Sequence, residues 1–309
     1  MRPFKFSVQY STAPDGKTWR EFARKVEDLG VDTLYIPDHF GDQWAPTIGM
    51  TIAAEATSTL KVGALVYDVD YRHPVTLAKE IATLDLASEG RVVFGFGAGW
   101  MKTDYDESGI SYDSPGTRID RMEEALTIMK ALWRDGTATF AGKHYNVTRA
   151  QGLPRPFEGK CPPIVIGGGG KKVLTIAARE ADTIGINPNL KSGAVDRDTA
   201  LSGLAERYDE RLGWIRDAAG DRFENLDLQV LTFFVQITDD ADTIVENMAP
   251  LFGMTPEQVK AVPMALVGTE GQIVETLQAR RERFGLNDIV IHEPELDAFA
   301  PIIARLAGT

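Results

Sequence analysis

The regular alternation of short apolar runs with amphipathic stretches constrains this chain more than any other feature. Runs suited to strands fall at 4–9, 33–36, 61–66, 91–96, 163–166, 183–186, 228–236 and 288–291. Nearly every gap between them carries helical spacing. Trp19, Phe22, Ala23, Val26 and Leu29 follow that spacing and stop at Gly30. Further helices are expected at 46–57, 74–86, 118–133, 171–180, 196–219, 240–262, 271–284 and 295–306. Residues 100–117 read as a long loop, and 137–147 as a hairpin turning at Gly142. Strands separated by helices in this way favour an α/β fold, a (β/α)8 TIM barrel with insertions, over a sandwich. A doubly wound open sheet is the other arrangement the pattern permits. No Pro/Ser-rich linker interrupts the pattern, so residues 1–309 are expected to form a single domain.

Composition removes several classes of function. Lys and Arg number 33 against 45 Asp and Glu, a net charge of −12. Such a surface repels polyanions, so nucleic acid is not an expected partner. The lone cysteine, Cys161, cannot form an intramolecular disulfide and fits a reducing compartment. No apolar stretch approaches the ~20 residues needed to span a bilayer, and the first residues lack a signal-peptide run. A cytoplasmic protein without membrane partners is expected.

Several familiar motifs fail on inspection. Gly95-Phe96-Gly97-Ala98-Gly99 follows a strand but is G-x-G-x-G, with Trp100 where a dinucleotide fingerprint needs its third glycine. Gly167–Gly170 with Lys171-Lys172 lacks both the earlier glycine of a Walker loop, where Val165 stands, and its Ser or Thr, where Lys172 stands. The histidines, His39, His73, His144 and His292, form no H-x-H or H-E-x-x-H, so no metal site is expected.

Three clues lie at expected strand C-termini, the face where barrels build their sites. Asp38-His39 offers a group that exchanges protons near neutral pH, or only a helix cap and a loop histidine. Ala64-Leu65-Val66-Tyr67-Asp68 offers a dry wall for a ring system, or only barrel core. Ile166 to Lys172 offers glycine amides, a helix start and two lysines to an anion, or only a flexible turn.

The ordered segments Tyr35-Ile36-Pro37-Asp38-His39-Phe40, Tyr71-Arg72-His73-Pro74 through Leu84-Asp85-Leu86, and Gly90-Arg91 through Trp100 resemble the luciferase-like monooxygenase family. The likeness is greatest to its actinobacterial subgroup using coenzyme F420. Phe140 to Tyr145, Pro162 to Gly169 and Leu266-Val267-Gly268-Thr269 extend it over about residues 4 to 292. The resemblance implies a bacterial luciferase-like barrel that moves hydride between a deazaflavin and a carbonyl, imine or activated alkene. It implies a non-prolyl cis peptide at Leu65–Val66 and His39 as the proton-handling group. Asp38 would orient His39 or meet the ring edge. Cofactor contacts are implied at Asp38, Leu65, Val66, Asp68, Ala98, Gly99 and Thr103. The cofactor phosphate is implied at Gly168, Gly169, Gly170, Lys171, Lys172 and Val173. Trp44, Tyr67 and Trp100 are candidates for a substrate wall. Trp100 and Asp68 replace a glutamate and a threonine of the family's sugar-phosphate dehydrogenases, which speaks against that substrate. Two other readings stay open: an FMN monooxygenase served by a separate reductase, and a non-catalytic flavin-binding protein. A small-molecule substrate and a second copy of the chain are the other expected partners.

Overall fold

A computed structural model describes residues 1–309. Eight principal strands appear: β1 (Lys5–Gln9), β2 (Thr33–Ile36), β3 (Lys61–Ala64), β4 (Val92–Gly97), β5 (Ile164–Gly168), β6 (Thr183–Ile186), β7 (Asp227–Leu231) and β8 (Leu286–His292). Their order in the sheet is β3-β2-β1-β8-β7-β6-β5-β4, with a further β3–β4 pairing that returns the sheet on itself. This is the strand order of a (β/α)8 barrel. No helix is long and apolar enough to cross a membrane.

The chain forms two compact units that interleave in sequence. The first comprises Met1–Tyr10, Val26–Asp32 and Gly167–Thr309. Within it β1 and β7 each pair with β8, and β6 pairs with β7, all parallel, with Lys5 opposite Asp288 and Val8 opposite Ile291. Phe6 packs on Phe4 and Phe299, and Tyr208 on Phe284, in its buried core. The second unit comprises Ser11–Lys25 and Thr33–Ile166. There β2 pairs with β3, β3 with β4, and β4 with the start of β5, all parallel. Trp19 is buried beneath Gly49, to whose carbonyl its indole donates at 2.9 Å. Trp133 meets Phe94 edge to face and donates to the Ala78 carbonyl at 2.8 Å.

Several expected boundaries move, each for a local reason. The run 61–66 stops at Ala64, and a short strand Tyr67–Asp68 resumes beyond a bulge. The run 228–236 divides: β7 ends at Leu231, and Phe234–Ile237 pairs with Ala265–Gly268 in a separate two-stranded sheet. The helix at 196–219 breaks into Arg197–Ser202 and Ala205–Ala219 across Gly203, the C-cap of the first piece. That at 240–262 breaks at Gly253, a left-handed C-cap, and restarts at a capping box on Thr255 and Gln258. The expected loop at 100–117 contains a helix, Lys102–Ser108.

Asp288 on β8 is buried, with Ser7 Oγ donating at 3.1 Å and Gln229 Nε2 at 2.7 Å. Burial pushes its carboxyl up to about 7 against the help of the Gln229 hydrogen bond, and Asp32 acts in the same direction as burial. An unfolded aspartate titrates near ~3.9. The folded chain therefore keeps a proton that the unfolded chain releases. The stability this gives is full below the unfolded value and is lost as pH rises through the folded one. Asp288→Asn cannot ionise. Its melting temperature should gain on wild type as pH rises from ~4 to about 7 and then hold that lead. A pH-independent difference in thermal melts would mean that Asp288 is ionised in the fold.

Candidate active site

Just beyond β2, Pro37-Asp38-His39 brings two polar side chains out of an apolar strand. Asp38 is buried and takes Arg72 in a fork, accepting from Nη1 at 2.5 Å and Nη2 at 2.9 Å. It also accepts the Asp68 backbone N–H at 3.1 Å. The side chain that orients His39 is not Asp38 but Asp104, whose Oδ2 lies 2.6 Å from His39 Nδ1. Tyr71 donates to the same oxygen at 3.2 Å. A carboxylate on Nδ1 fixes the ring and leaves the other nitrogen for proton exchange. Trp100 stands edge-on to the His39 ring, 5.7 Å between centroids. Asp104 belongs to the helix Lys102–Ser108, whose polar sequence carries no apolar stripe. Its one legible signal is Gly109, a left-handed stop.

The Leu65–Val66 peptide is cis, as the resemblance implied. Both residues are half-buried, and the Leu65 N–H donates to the Ile36 carbonyl at 3.0 Å. The glycines of β4 make room for this bulge. A Cβ on Gly95 would stand 1.9 Å from the Ala64 carbonyl oxygen, and one on Gly97 2.5 Å from a Val66 methyl. The G-x-G-x-G run that failed as a dinucleotide fingerprint thus serves close packing of two strands. Ala98 and Gly99 offer their carbonyls to Arg118 at 3.0 and 3.3 Å. Thr103 lies exposed on the following helix.

The three candidates for a substrate wall separate. Tyr67 is fully buried, donates to or accepts from Thr47 at 2.8 Å, and stacks on Phe94. It is core, a correction to the expected wall. Trp44 stacks on Trp19 at 4.4 Å and hydrogen-bonds the Ala13 carbonyl. Trp100 alone joins His39.

Asp68 meets an unusual partner. The Tyr105 hydroxyl lies 2.9 Å from Asp68 Oδ2 and also 2.9 Å from Asp70 Oδ2. A phenol has one proton, so two ionised carboxylates cannot both be served. Asp70 is paired with Arg121. Asp68, which lacks such a cation, is therefore the acid of the two that takes up a proton first as pH falls. Burial pushes its carboxyl up to about 7, and the Asp70 charge adds to the rise.

In the first unit, β5 runs into Gly167–Gly170 and the helix Lys171–Glu180. Gly170 is the N-cap and no side chain caps the helix, so the first turn presents amides that anions favour. The turn is held from behind: the Asn187 N–H donates to the Gly168 carbonyl at 3.0 Å, and Val173 packs on Gly168. Lys171 and Lys172 are exposed. A Cβ on Gly169 would meet the Pro188 carbonyl at 2.2 Å, whereas one on Gly170 would enter open space. Arg211 lies against this turn, its Nε donating to the Gly169 carbonyl at 3.0 Å. These features fit a phosphate.

Residues 1–282 match the model of the luciferase-like monooxygenase family, and the chain belongs to that family. It is 28% identical over 273 residues to a 5,10-methylenetetrahydromethanopterin reductase of Archaeoglobus fulgidus, covering 85% of this chain and 77% of that one. It is 26% identical over 219 residues to an F420-dependent glucose-6-phosphate dehydrogenase of Amycolatopsis mediterranei, covering 64% of this chain and 65% of that relative's length. The solved coenzyme F420-dependent tetrahydromethanopterin reductase from Methanopyrus kandleri superposes with a TM-score of 0.76 at 18% identity, over 99% of this chain and 98% of that one. That likeness shows the fold, the luciferase-like barrel.

The state of Asp68 can be read in cofactor-free protein. The wild-type minus Asp68→Asn difference spectrum, which removes the Asp288 contribution, should show the infrared carbonyl stretch of a protonated carboxyl that fades as pH rises through about 7. Tyr105→Phe should move the midpoint upward, because the phenol is a donor to the ionised form. Absence of such a band below neutrality would place both carboxylates in the ionised state.

Proposed function

We propose that this chain is an F420-dependent oxidoreductase moving hydride to or from a small carbonyl, imine or activated alkene. The observation that carries the reading is the His39–Asp104 pair at 2.6 Å, beyond a strand end of a barrel whose matched relatives include F420-dependent glucose-6-phosphate dehydrogenases. F420, when bound, supplies the hydride-carrying carbon. The protein's part is proton handling and placement. His39, oriented by Asp104, gives a proton to the reduced oxygen or nitrogen, or removes one in the reverse direction. Leu65 and Val66 supply an apolar surface for a ring, and the Gly168–Lys171 turn takes the phosphate.

A second reading, an FMN-dependent monooxygenase, is favoured by a structural neighbour. The FMN-bound oxygenating constituent of 3,6-diketocamphane monooxygenase from Pseudomonas putida superposes with a TM-score of 0.72 at 18% identity, over 99% of this chain and 98% of that one. Oxygen consumption separates the two, since a deazaflavin reacts poorly with oxygen. Turnover that proceeds equally well without oxygen supports F420 chemistry. Turnover that consumes oxygen in step with product supports the monooxygenase.

His39→Asn keeps hydrogen bonding but loses proton transfer. It should lower kcat by ~10²–10⁴-fold while cofactor affinity stays within about threefold. If kcat survives within that same threefold, another group handles the proton. At the glycine turn, Gly170→Val is the informative change, because Gly169→Val would collide with the Pro188 carbonyl even without ligand. Gly170→Val should melt like wild type yet bind cofactor at least ~10-fold more weakly, about 1.4 kcal/mol. Unchanged affinity would remove the phosphate from this turn.

A further inference from the structure

Arg211 projects from the helix Ala205–Ala219 and is only 4% exposed. Its Nε donates to the Gly169 carbonyl, one residue before the N-cap of Lys171–Glu180, but its buried Nη1 has no hydrogen-bond partner. The guanidinium has five N–H donors and cannot shed its charge at cellular pH. Glu210, the acid whose field reaches it, is engaged with Arg207 at 3.3 Å. Other buried arginines are satisfied differently. Arg280 spends its two terminal nitrogens on the Pro263 and Lys260 carbonyls, and Arg118 spends Nε on the Ala98 carbonyl and its terminal nitrogens on those of Asp113 and Gly99. Burying a cation without a counter-ion is costly, and a fold keeps such a group where an anion completes it.

We propose that Arg211 is the buried counter-charge of a phosphate ester seated at the Gly168–Lys171 turn, a role that rests on the cofactor reading above. It is a positioning residue. It ties down the Gly169 carbonyl so that this oxygen turns away from the anion, and it adds positive potential behind the first helical amides. The ligand class is a phosphate mono- or diester, which both FMN and F420 carry. Burial presses on the charged form of Arg211 and lowers its pKa, in keeping with a charge that lacks its partner.

A cation kept for a ligand and a cation kept for the fold respond oppositely to removal. Arg211→Met should leave the ligand-free melting temperature unchanged or raise it, since a lone buried charge is relieved. Equilibrium titrations should then use two pairs of probes: FMN against riboflavin, and F420 against its phosphate-free deazariboflavin core. For whichever pair the wild type binds, Arg211→Met should weaken the phosphorylated member at least ~10-fold and leave the phosphate-free member unchanged. Arg211→Lys should recover part of that loss. Equal losses for both members, no loss for either, or a lowered ligand-free melting temperature would overturn the proposal. Equal wild-type affinity for FMN and riboflavin would overturn it too, because the anion seat would then serve another phosphate. A wild type that binds no member of either pair would remove the cofactor reading itself, a failure visible before any variant is made.

Discussion

The close approach of Ala64–Val66 to β4 is the contact on which the second unit's site depends. Those residues lie where any side chain at 95 or 97 would collide with them. Because β4 yields that space, the chain can leave β3, bulge, and return as Tyr67–Asp68 paired to Phe96 and Gly97. The return sets Asp68 between two other acids: its backbone N–H reaches Asp38 and its carboxyl reaches Tyr105 and, through it, Asp70. Without the bulge, the register that puts Asp68 there would not exist.

Charge balance then decides which of these acids is ionised. Asp38 has Arg72 and Asp70 has Arg121, while Asp104 shares a hydrogen bond with His39 Nδ1. Asp68 has no cation, and burial raises its carboxyl to about 7, so it sheds part of its desolvation cost by taking up a proton as pH falls through that value. For the proposed hydride transfer, which moves one proton with each hydride, the site thus holds two candidate donors of different kinds. One is an imidazole fixed by a carboxylate, and the other is a carboxylic acid fixed by a phenol. The first unit shows the converse in Arg211, a cation held without an anion.

Much of this was legible in the sequence. Strand-helix alternation gives the barrel because each principal strand is a short apolar run and the helices between them show apolar stripes, as in 171–180, which the structure reproduces at Lys171–Glu180. The places of Asp38, His39 and the glycine turn just past strand ends were legible, because the apolar runs that end there are the strands. Asp104 was not. Its helix is polar, and its partner His39 lies 65 positions away, so no local periodicity joins them. Arg211 was hidden for the opposite reason: a charge on a helix normally reads as a solvated face, and only packing reveals that it is buried. Tyr67 misled because an aromatic at a strand end looks like a wall, while the fold turns it inward onto Phe94.

The central claim is that this barrel is built around a deazaflavin. It is tested most directly by separate equilibrium titrations of the purified protein with F420 and with FMN, read by the change in each chromophore's absorbance. Saturable binding of F420, tighter than that of FMN, is the result this account predicts. Saturable binding of FMN with none of F420, or of neither, would contradict it.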